Sequence, residues 1–387
     1  MNIDLGKAID SKLDRTKWKK WKFSDLVDNI VEKVKPQESG LEHYIGLKHL
    51  DSGSLHVKRF GETESLIGDK LKIYKNDIIF AKRNAYLKRV SIAPFDAVVS
   101  AHSMVLRPKA ENVLPEFLPF FLLSEQFWQR AIEISVGSLS PTINWKALAK
   151  QEFLLPPKDQ QAKLAELLWA MDEVIEKGTQ LLDNIVLNLI VNEKQIFASK
   201  TYCALKTAIL NSLSGGTPNT KVQEFYSNGT IPWLTTKIIE DDYIEIGEKL
   251  ITNDAVLNSA AKVLPKGNII AGTRVGVGKF AINICDISFS QDVTGLIIDH
   301  SKVNIDFLVY QLNSAVFQSR LAPFLRGTTI KGILKDDLLN MKIYLPSMEK
   351  QLELKNLIKE LKNSRDLTKF KISSSKALQK SLINQVF

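Results

Sequence analysis

Basic side chains are concentrated in residues 70–90, where they would suit contact with a polyanion. Seven Lys and Arg residues lie in this stretch with Asp77 as its one acid, and Asn84 and Tyr86 lie among them. Ammonium and guanidinium groups bind phosphates, while Arg and Asn side chains also pair with base edges. The stretch therefore indicates contact with nucleic acid. The alternative is a solvated basic hairpin without a ligand.

A related segment, GTRVGVGK, lies in the second half of the chain and places Arg274 and Lys279 on a glycine-rich turn. Glycine allows a backbone to approach a phosphate closely. The segment is not a P-loop, because Gly272 lies one residue too far from Gly278 and Phe280 replaces the hydroxyl residue that would bind Mg²⁺. It predicts an anion contact without nucleotide hydrolysis.

Motifs for catalysis and metal binding are missing from the sequence. HExxH, GxSxG, CxxC and a methyltransferase tetrapeptide of the NPPY type do not occur. The 5 histidines show no ligand spacing, and Cys203 and Cys285 have no paired neighbour. The chain is therefore predicted to bind rather than to catalyse, with no metal and no cofactor of its own.

The composition is that of a soluble globular protein with more than one domain. The 387 residues are 44% hydrophobic and 25% charged, and 52 basic residues exceed 43 acidic ones. No apolar run is long enough to cross a membrane, and the first residues carry charges without an apolar core. We expect a cytoplasmic protein with reduced thiols and no contact with membranes.

The two halves of the sequence repeat one plan. At an offset of 190 residues Gly137 matches Gly327, and slightly upstream Arg83 matches Arg274 at an offset of 191. Each copy has a strand-rich stretch, one short amphipathic helix, a glycine-led loop with hydroxyl residues, and a strand that ends at proline. An offset that stays nearly constant along the two copies predicts a tandem duplication.

A long helix is predicted to close each copy, the first from Asp159 and the second after Pro346. Apolar residues at a 3,4 spacing are typical of a coiled coil. We assign to this stripe Leu164, Leu168, Met171, Ile175, Leu182, Ile185 and Leu189 in the first helix, and Leu354, Ile358, Leu361, Ile372 and Leu382 in the second. The second stripe is weaker, and Ser373 to Ser375 are candidates for an interruption.

Charge favours pairing of these two helices with each other. Residues 159–200 carry a net charge of −3, whereas residues 350–387 carry +6. A helix over residues 159–200 spans about 60 Å. The first helix would therefore lead the chain away to a second globule, and an antiparallel second helix would lead it back. The predicted fold class is α+β, with two similar mixed α/β domains separated by two long antiparallel coiled-coil helices in a pseudo-twofold arrangement. The alternative is two independent surface helices.

Three stretches make a resemblance to a known family specific. They are SGGTPNTKVQEFYSNGTIPWLTTKII at 214–239, VGSLSPTINWKALAKQEFLLPPKDQQAKLAELL in the first copy and RGTTIKGILKDDLLNMKIYLPSMEKQLEL in the second. The chain resembles the specificity subunits of Type I restriction–modification systems over nearly its whole length. The resemblance implies target-recognition domains at 1–157 and 201–346, with conserved spacer helices at 158–200 and 347–387.

The resemblance also implies a function and partners. Each domain would read one half of a bipartite, asymmetric sequence in double-stranded DNA, and the helices would set the gap between the halves. Two modification subunits would bind the helices and the globules and would methylate adenines with S-adenosylmethionine. Restriction subunits would add cleavage that depends on ATP and Mg²⁺. These cofactors would be bound by the partner subunits and not by this chain.

We predict DNA contacts in both domains. They are Lys82, Arg83, Asn84, Lys88, Arg89, Ser138, Ser140, Thr142 and Asn144 in the first domain, and Thr235, Thr236, Lys237, Arg274, Lys279, Arg326, Thr328 and Lys331 in the second. The hydroxyl residues have a structural alternative as helix caps, and Trp145 and Trp233 suit a core or a hinge better than stacking on bases. Rival functions are a fused methyltransferase or nuclease, a coiled-coil scaffold, and an RNA-binding protein.

Overall fold

The structure, a computed structural model, describes residues 15–198 and 202–387. These residues form two compact units. The first unit contains the described residues up to Thr179 together with Phe370–Phe387, and the second contains Gln180–Lys369. The predicted boundary at residues 200 and 201 and the start of the first domain lie outside the described residues.

The strands of the first unit form three sheets. They are β1 (Lys19–Lys22), β2 (Val27–Ile30), β3 (Lys33–Val34), β4 (His43–Ile45), β5 (Gly61–Glu62), β6 (Lys70–Ile73), β7 (Ile78–Ala81), β8 (Val90–Ile92), β9 (Ala97–Val99), β10 (Ser103–Pro108) and β11 (Glu152–Leu155). Their orders are β1-β11, β2-β10-β7-β8 and β3-β6-β9-β4-β5. Neighbouring strands are antiparallel except β4 and β9, which pair in parallel.

The second unit repeats this plan with β12 (Cys203–Ala204), β13 (Ile209–Ser214), β14 (Ile231–Leu234), β15 (Tyr243–Ile244), β16 (Lys249–Ile251), β17 (Val263–Leu264), β18 (Asn268–Gly272), β19 (Phe280–Asn283), β20 (Ile287–Phe289), β21 (Val293–Ile298) and β22 (Lys342–Ile343). The sheet orders are β12-β22, β13-β21-β18-β19-β15 and β16-β14-β20-β17. The central pair β18–β21 places Ile269 opposite Leu296, two fully buried residues.

Short helices pack on these sheets. They are α1 (Phe23–Leu26), α2 (Leu118–Leu123), α3 (Glu125–Glu133) and α4 (Trp145–Leu148) in the first unit, and α6 (Asn253–Leu257), α7 (Ile305–Asn313), α8 (Ala315–Leu321) and α9 (Lys335–Leu339) in the second. The label α5 belongs to the first long helix, Lys158–Phe197.

The single amphipathic helix predicted in each copy is wrong, because a serine divides it. Ser124 has extended backbone and its hydroxyl accepts a hydrogen bond from the Phe127 N–H, so it ends α2 and caps α3. Ser314 separates α7 from α8 in the same way. A serine in this role satisfies a free N–H group at a helix start, which apolar periodicity does not reveal.

Both long helices are present. The first begins at Lys158, one residue before the predicted start, and the second, α10, runs over Met348–Val386. Ser373 to Ser375 do not interrupt α10. Within the described residues no helix is long and apolar enough to cross a membrane.

The long helices pack side by side within each unit. In the first unit Leu164 and Leu168 share a core with Leu382 and Val386, and the Gln379 side chain donates to the Leu168 carbonyl oxygen at 3.3 Å. In the second unit Leu189 shares a core with residues near the start of α10, among them Ile358. The predicted mixed α/β fold with two paired long helices is confirmed.

A buried glutamine fixes the start of each long helix. The Gln161 side chain donates to the Pro156 carbonyl oxygen and accepts from the Leu114 N–H, both at 2.8 Å. Gln351 repeats the arrangement with Pro346 and Asn304 at 2.8 Å each. These hydrogen bonds satisfy backbone groups at the point where globule and helix meet.

Candidate nucleic-acid interface

Two loops that are distant in sequence lie together in each unit. In the first unit we call residues 82–89 the arginine loop and residues 136–144 the glycine loop. In the second unit the arginine loop is residues 273–279 and the glycine loop is residues 326–332. The first loop of each pair connects two strands of a sheet, and the second follows the short helices.

The backbone joins the two loops in the first unit. The Ile143 N–H donates to the Lys82 carbonyl oxygen at 2.9 Å, and the Ala85 N–H donates to that of Pro141 at 3.2 Å. Arg83 forms an isolated antiparallel bridge with Thr142. Hydrogen bonds between main chains fix the relative position of the loops whatever the side chains are.

The second unit joins its loops in a closely similar way, although its second donor lies one residue nearer to the paired arginine. The Ile333 N–H donates to the Thr273 carbonyl oxygen at 2.9 Å, and the Val275 N–H donates to that of Lys331 at 3.2 Å. Arg274 forms an antiparallel bridge with Gly332. The predicted correspondence of Arg83 with Arg274 therefore holds in three dimensions.

Left-handed backbone occurs at matching places in the two loop pairs. Gly137 and Gly327, each at the start of its glycine loop, have φ angles of 110° and 101°. Asn84 and Val275, each directly after the paired arginine, have φ angles of 56° and 61°. Left-handed backbone is strained for a β-branched residue such as Val275, so the surrounding hydrogen bonds hold it in place.

The loop surface is cationic and polar with apolar tips. Arg83, Arg274 and Arg326 are exposed, as are Ser138, Asn144, Lys237, Thr328 and Lys331. The Leu139 side chain is 93% exposed and Ile330 is 63% exposed. Arginine suits phosphates and guanine edges, and an exposed apolar side chain suits a thymine methyl group. Such a surface is suited to contact with the phosphates and base edges of a DNA groove.

Lys88 and Arg89, both predicted DNA contacts, also have partners within the protein. The Lys88 ammonium forms an ion pair with Glu125. The Arg89 guanidinium donates to the Leu47 carbonyl oxygen at 2.6 Å, and burial lowers its pKa. Both partners are far away in sequence, so the charge pattern of residues 70–90 could not reveal them.

Two of the predicted threonine contacts also have structural roles. Thr236 is buried, with 3% of its surface exposed, and its carbonyl oxygen accepts from the Lys279 ammonium at 3.3 Å. Its assignment as a DNA contact remains a prediction. Thr235 caps a short 3₁₀ helix by accepting from the Lys237 N–H, which is the structural alternative for hydroxyl residues.

The remaining predicted residues lie at the loop pair of the first unit. Ser140 and Thr142 are half-buried, and the Thr142 hydroxyl donates to the Ser140 carbonyl oxygen at 3.0 Å. Asn84 is half-buried, and its side-chain oxygen has no hydrogen-bond partner among the described residues. Lys82 is half-buried, and burial lowers its pKa.

Trp233, in the second unit, lies in the core, which was its predicted structural role, and its indole N–H donates to the Gly216 carbonyl oxygen.

Sequence reasoning missed two residues beside the paired arginines. His102 lies 3.4 Å from the Arg83 guanidinium, and burial together with Arg83 and Lys82 lowers its pKa. Asp292 and Arg274 both line a cavity of about 550 Å³ in the second unit. His102 and Asp292 lie 190 positions apart, so the repeat was the signal that could have linked them.

The predicted coiled-coil stripe is taken up by packing within the chain. Leu164, Leu168, Ile175, Leu189, Leu354, Ile358 and Leu382 are buried, and Met171, Leu182, Ile185, Leu361 and Ile372 are half-buried. Their assignment as partner-binding residues remains a prediction. They pack the helices against each other and against the globules.

No group of His, Cys, Asp and Glu side chains that could hold a metal ion occurs in the part of the chain that the structure describes. The GTRVGVGK segment joins strands β18 and β19. A P-loop instead joins a strand to a helix whose N-terminus binds phosphate.

Comparison with known proteins establishes the family. The family model described as the Type I restriction modification DNA specificity domain matches residues 17–185 and again residues 208–375. These matches cover most of the chain, one in each copy of the repeat. The chain belongs to this family of DNA specificity domains, and membership agrees with the prediction of a binding subunit rather than an enzyme.

Individual relatives carry the same designation. The Type I restriction enzyme MjaVIII specificity subunit of Methanocaldococcus jannaschii is 24% identical, with 95% of this chain and 91% of that protein covered. The MjaIX specificity subunit of the same organism is 29% identical over 37% of this chain and 34% of its own length. The EcoR124I/EcoR124II specificity subunit of Escherichia coli is 26% identical over 37% of this chain. The matched stretch spans 34% and 36% of the last two relatives.

Solved structures share the fold. A Type I restriction–modification S subunit from M. genitalium superposes with a TM-score of 0.61 at 15% identity and covers 96% of both chains. A chain from a structure of complex assembly in a type I R-M system gives 0.59 at 17% identity, covering 95% of this chain and 96% of the other.

Proposed function

We propose that this chain is the sequence-specific DNA-binding subunit of a Type I restriction–modification complex. It directs the other subunits to a bipartite, asymmetric target for adenine methylation and for restriction. Each unit reads one half of the target through its arginine and glycine loops. The long helices set the length of the unspecified gap between the halves.

The repeated loop pair is the observation that supports this proposal most strongly. Arg83 and Arg274 are exposed, each bridges a glycine loop, and main-chain hydrogen bonds hold the two loops together in both units. A fixed backbone with variable side chains suits recognition of different base sequences by one architecture. An asymmetric target follows, because the two loop pairs carry different side chains.

Partner subunits have candidate surfaces on the long helices. The stripe is buried, but other apolar side chains on these helices are more than a third exposed: Val174, Leu181, Leu187, Ile190 and Val191 on α5, and Leu357, Leu367, Phe370 and Leu378 on α10. Exposed apolar side chains on a helix are candidates for protein–protein contact. We propose that two modification subunits bind here and that restriction subunits join through the assembled complex.

The chemistry of the complex is assigned to those partners. S-adenosylmethionine, ATP and Mg²⁺ are proposed to bind the modification and restriction subunits. This chain supplies the loops that hold DNA and the helices that hold the partners. Its proposed role is therefore positional.

Genome-wide mapping of methylated bases with and without the gene tests the proposal. We expect a two-part methylated motif that disappears on deletion and returns when the gene is restored from a plasmid. Transcripts of the partner genes are measured in both strains as the control. A methylome that does not change while the partner subunits are expressed would exclude this function.

Duplex binding by the purified complex separates a specificity subunit from a scaffold. A specificity subunit makes binding both sequence-dependent and salt-dependent, since phosphate contacts release counterions. A coiled-coil scaffold without a nucleic-acid role would leave the complex with no preference between the methylated motif and a scrambled duplex.

A further inference from the structure

Asp292 is a carboxylate on an otherwise cationic surface. It lines the same cavity as Arg274, Arg326 and Lys331, and it is half-buried. Its main chain is fully engaged, because its carbonyl oxygen accepts from the N–H groups of Thr273 and Arg274 at 2.9 and 3.0 Å. These hydrogen bonds fix the residue beside the arginine loop.

The side chain of Asp292 has no structural task of its own. Its carboxylate forms no hydrogen bond and no ion pair with any residue in the described ranges, whereas the nearby Asp337 pairs with Arg326 at 2.9 Å. A partly buried carboxylate without a partner costs stability unless a ligand satisfies it. The absence of an ion pair leaves both of its oxygens available as acceptors.

The repeat shows that this position is adjustable. In the first unit the matching residue is His102, whose carbonyl oxygen accepts from the Lys82 N–H at 3.2 Å as that of Asp292 accepts from Thr273. The backbone role is thus kept while the side chain changes from imidazole to carboxylate. The His102 imidazole lies 3.4 Å from the Arg83 guanidinium, and Asp292 lines the same cavity as Arg274.

The chemistry of DNA limits what an aspartate can bind there. A carboxylate is repelled by phosphates, and in the major groove it accepts hydrogen bonds only from the amino groups of cytosine N4 or adenine N6. We propose that Asp292 is a specificity-determining residue of the second unit that reads such an amino group in the second half-site. This inference rests on the proposed function and adds a named residue and a base class to it.

Selection of bound duplexes from a random DNA library by the purified complex tests the inference, with wild-type chain, Asp292→Ala and Asp292→Asn. We expect Asp292→Ala to lower the preference for cytosine or adenine at one position of the second half-site by roughly tenfold and to leave the first half-site unchanged. Asp292→Asn keeps an acceptor oxygen and should keep a preference for an amino-bearing base. Asp241→Ala removes an equal charge from an exposed site in the same unit and should change no position.

Three results bear on the inference in distinct ways. A uniform change of affinity on all sequences in Asp292→Ala would overturn it and leave only a charge effect. Relaxation in the first half-site, or equally in both, would overturn it as well. If the wild-type complex selects no motif, the proposed function itself fails, and this outcome is visible without any variant.

Discussion

The N–H of Ile143 donates to the carbonyl oxygen of Lys82 at 2.9 Å, and this hydrogen bond holds the arginine and glycine loops of the first unit together. Ile333 and Thr273 form the same hydrogen bond at 2.9 Å in the second unit. The two loop pairs therefore share one backbone arrangement. Sequence specificity is then determined by the side chains on these loops.

Replacing either paired arginine should relax one half-site only. Arg83→Ala removes an exposed guanidinium from the first loop pair, and Arg274→Ala removes its counterpart from the second. We expect a cost of about 1–3 kcal/mol for the affected half-site, the range of a good base contact. Titration of duplexes with single-base changes measures it. Arg130→Ala, at a helix surface pair with Glu133, is the control, and equal weakening on all duplexes would mark a phosphate contact instead.

Lys331→Ala should weaken binding to every sequence by a similar factor. Lys331 is exposed at the glycine loop of the second unit, and its ammonium is a flexible point charge suited to phosphate. The slope of log affinity against log salt should fall by about one unit. Titration of the complex between low and moderate salt measures this slope, and an unchanged slope would place Lys331 away from the DNA.

Gly327→Ala should disturb the glycine loop more than Gly137→Ala. Both have positive φ, but a Cβ on Gly327 would lie 2.1 Å from the Ile330 carbonyl oxygen. A Cβ on Gly137 would lie 3.4 Å from its nearest neighbour, the Ser140 carbonyl oxygen. Left-handed backbone alone costs about 1–3 kcal/mol. Gly267→Ala, with φ of 77° and open space around the Cβ, isolates that strain. Thermal unfolding and DNA titration measure the ranking, and equal effects for all three variants would argue against the clash.

The stability of the first unit should depend on pH through His56. The His56 imidazole lies 2.5 Å from the Asp172 carboxylate on α5, and this hydrogen bond raises the pKa of His56. A raised pKa in the folded state stabilises the fold fully below the ordinary value near 6.5, and the contribution is lost as pH rises through the raised value. The unfolding midpoint should therefore fall over this window.

Two variants check the assignment to His56. His56→Ala and Asp172→Asn should both flatten the pH dependence of the unfolding midpoint. In the second unit Lys362 occupies the place that matches Asp172 and pairs with Asp242 at 2.6 Å, so no histidine takes part there. An unchanged slope in His56→Ala would show that another group carries the pH dependence.

Gln161→Ala should destabilise the chain by about 1–3 kcal/mol, because it leaves the Leu114 N–H without a partner in the interior. Gln351→Ala should cost a similar amount through Asn304. Chemical denaturation measures both. Gln385→Ala, an exposed glutamine near the end of α10, should have little effect, and a loss of similar size there would contradict the role given to the buried pair.

Periodicity and repeat explain what the sequence could predict. The stripe from Leu164 to Leu189 predicted α5, and the matched Gly137 and Gly327 predicted equivalent loops, because both features are local or recur at a constant offset. Contacts between distant residues could not be predicted in this way. Lys88 forms an ion pair with Glu125, and Arg89 donates to the Leu47 carbonyl oxygen. Thr236 packs against the glycine-rich turn.

Hydrogen-bond capping was the other source of error. Ser124 and Ser314 each lie inside a helical apolar pattern, yet each ends one helix and begins the next. Asp292 was missed because a lone acid in a basic region has no motif, and only the folded repeat places it beside Arg274.

Two separate loop pairs are proposed to read two separate half-sites. Selection of DNA from a random library by the purified wild-type complex, followed by sequencing of the bound fraction, tests this proposal most directly. We predict two short, dissimilar motifs separated by a gap of constant length and unspecified sequence. One continuous motif, two halves with a variable gap, or no enrichment would show that the loop pairs do not read two half-sites at a fixed separation.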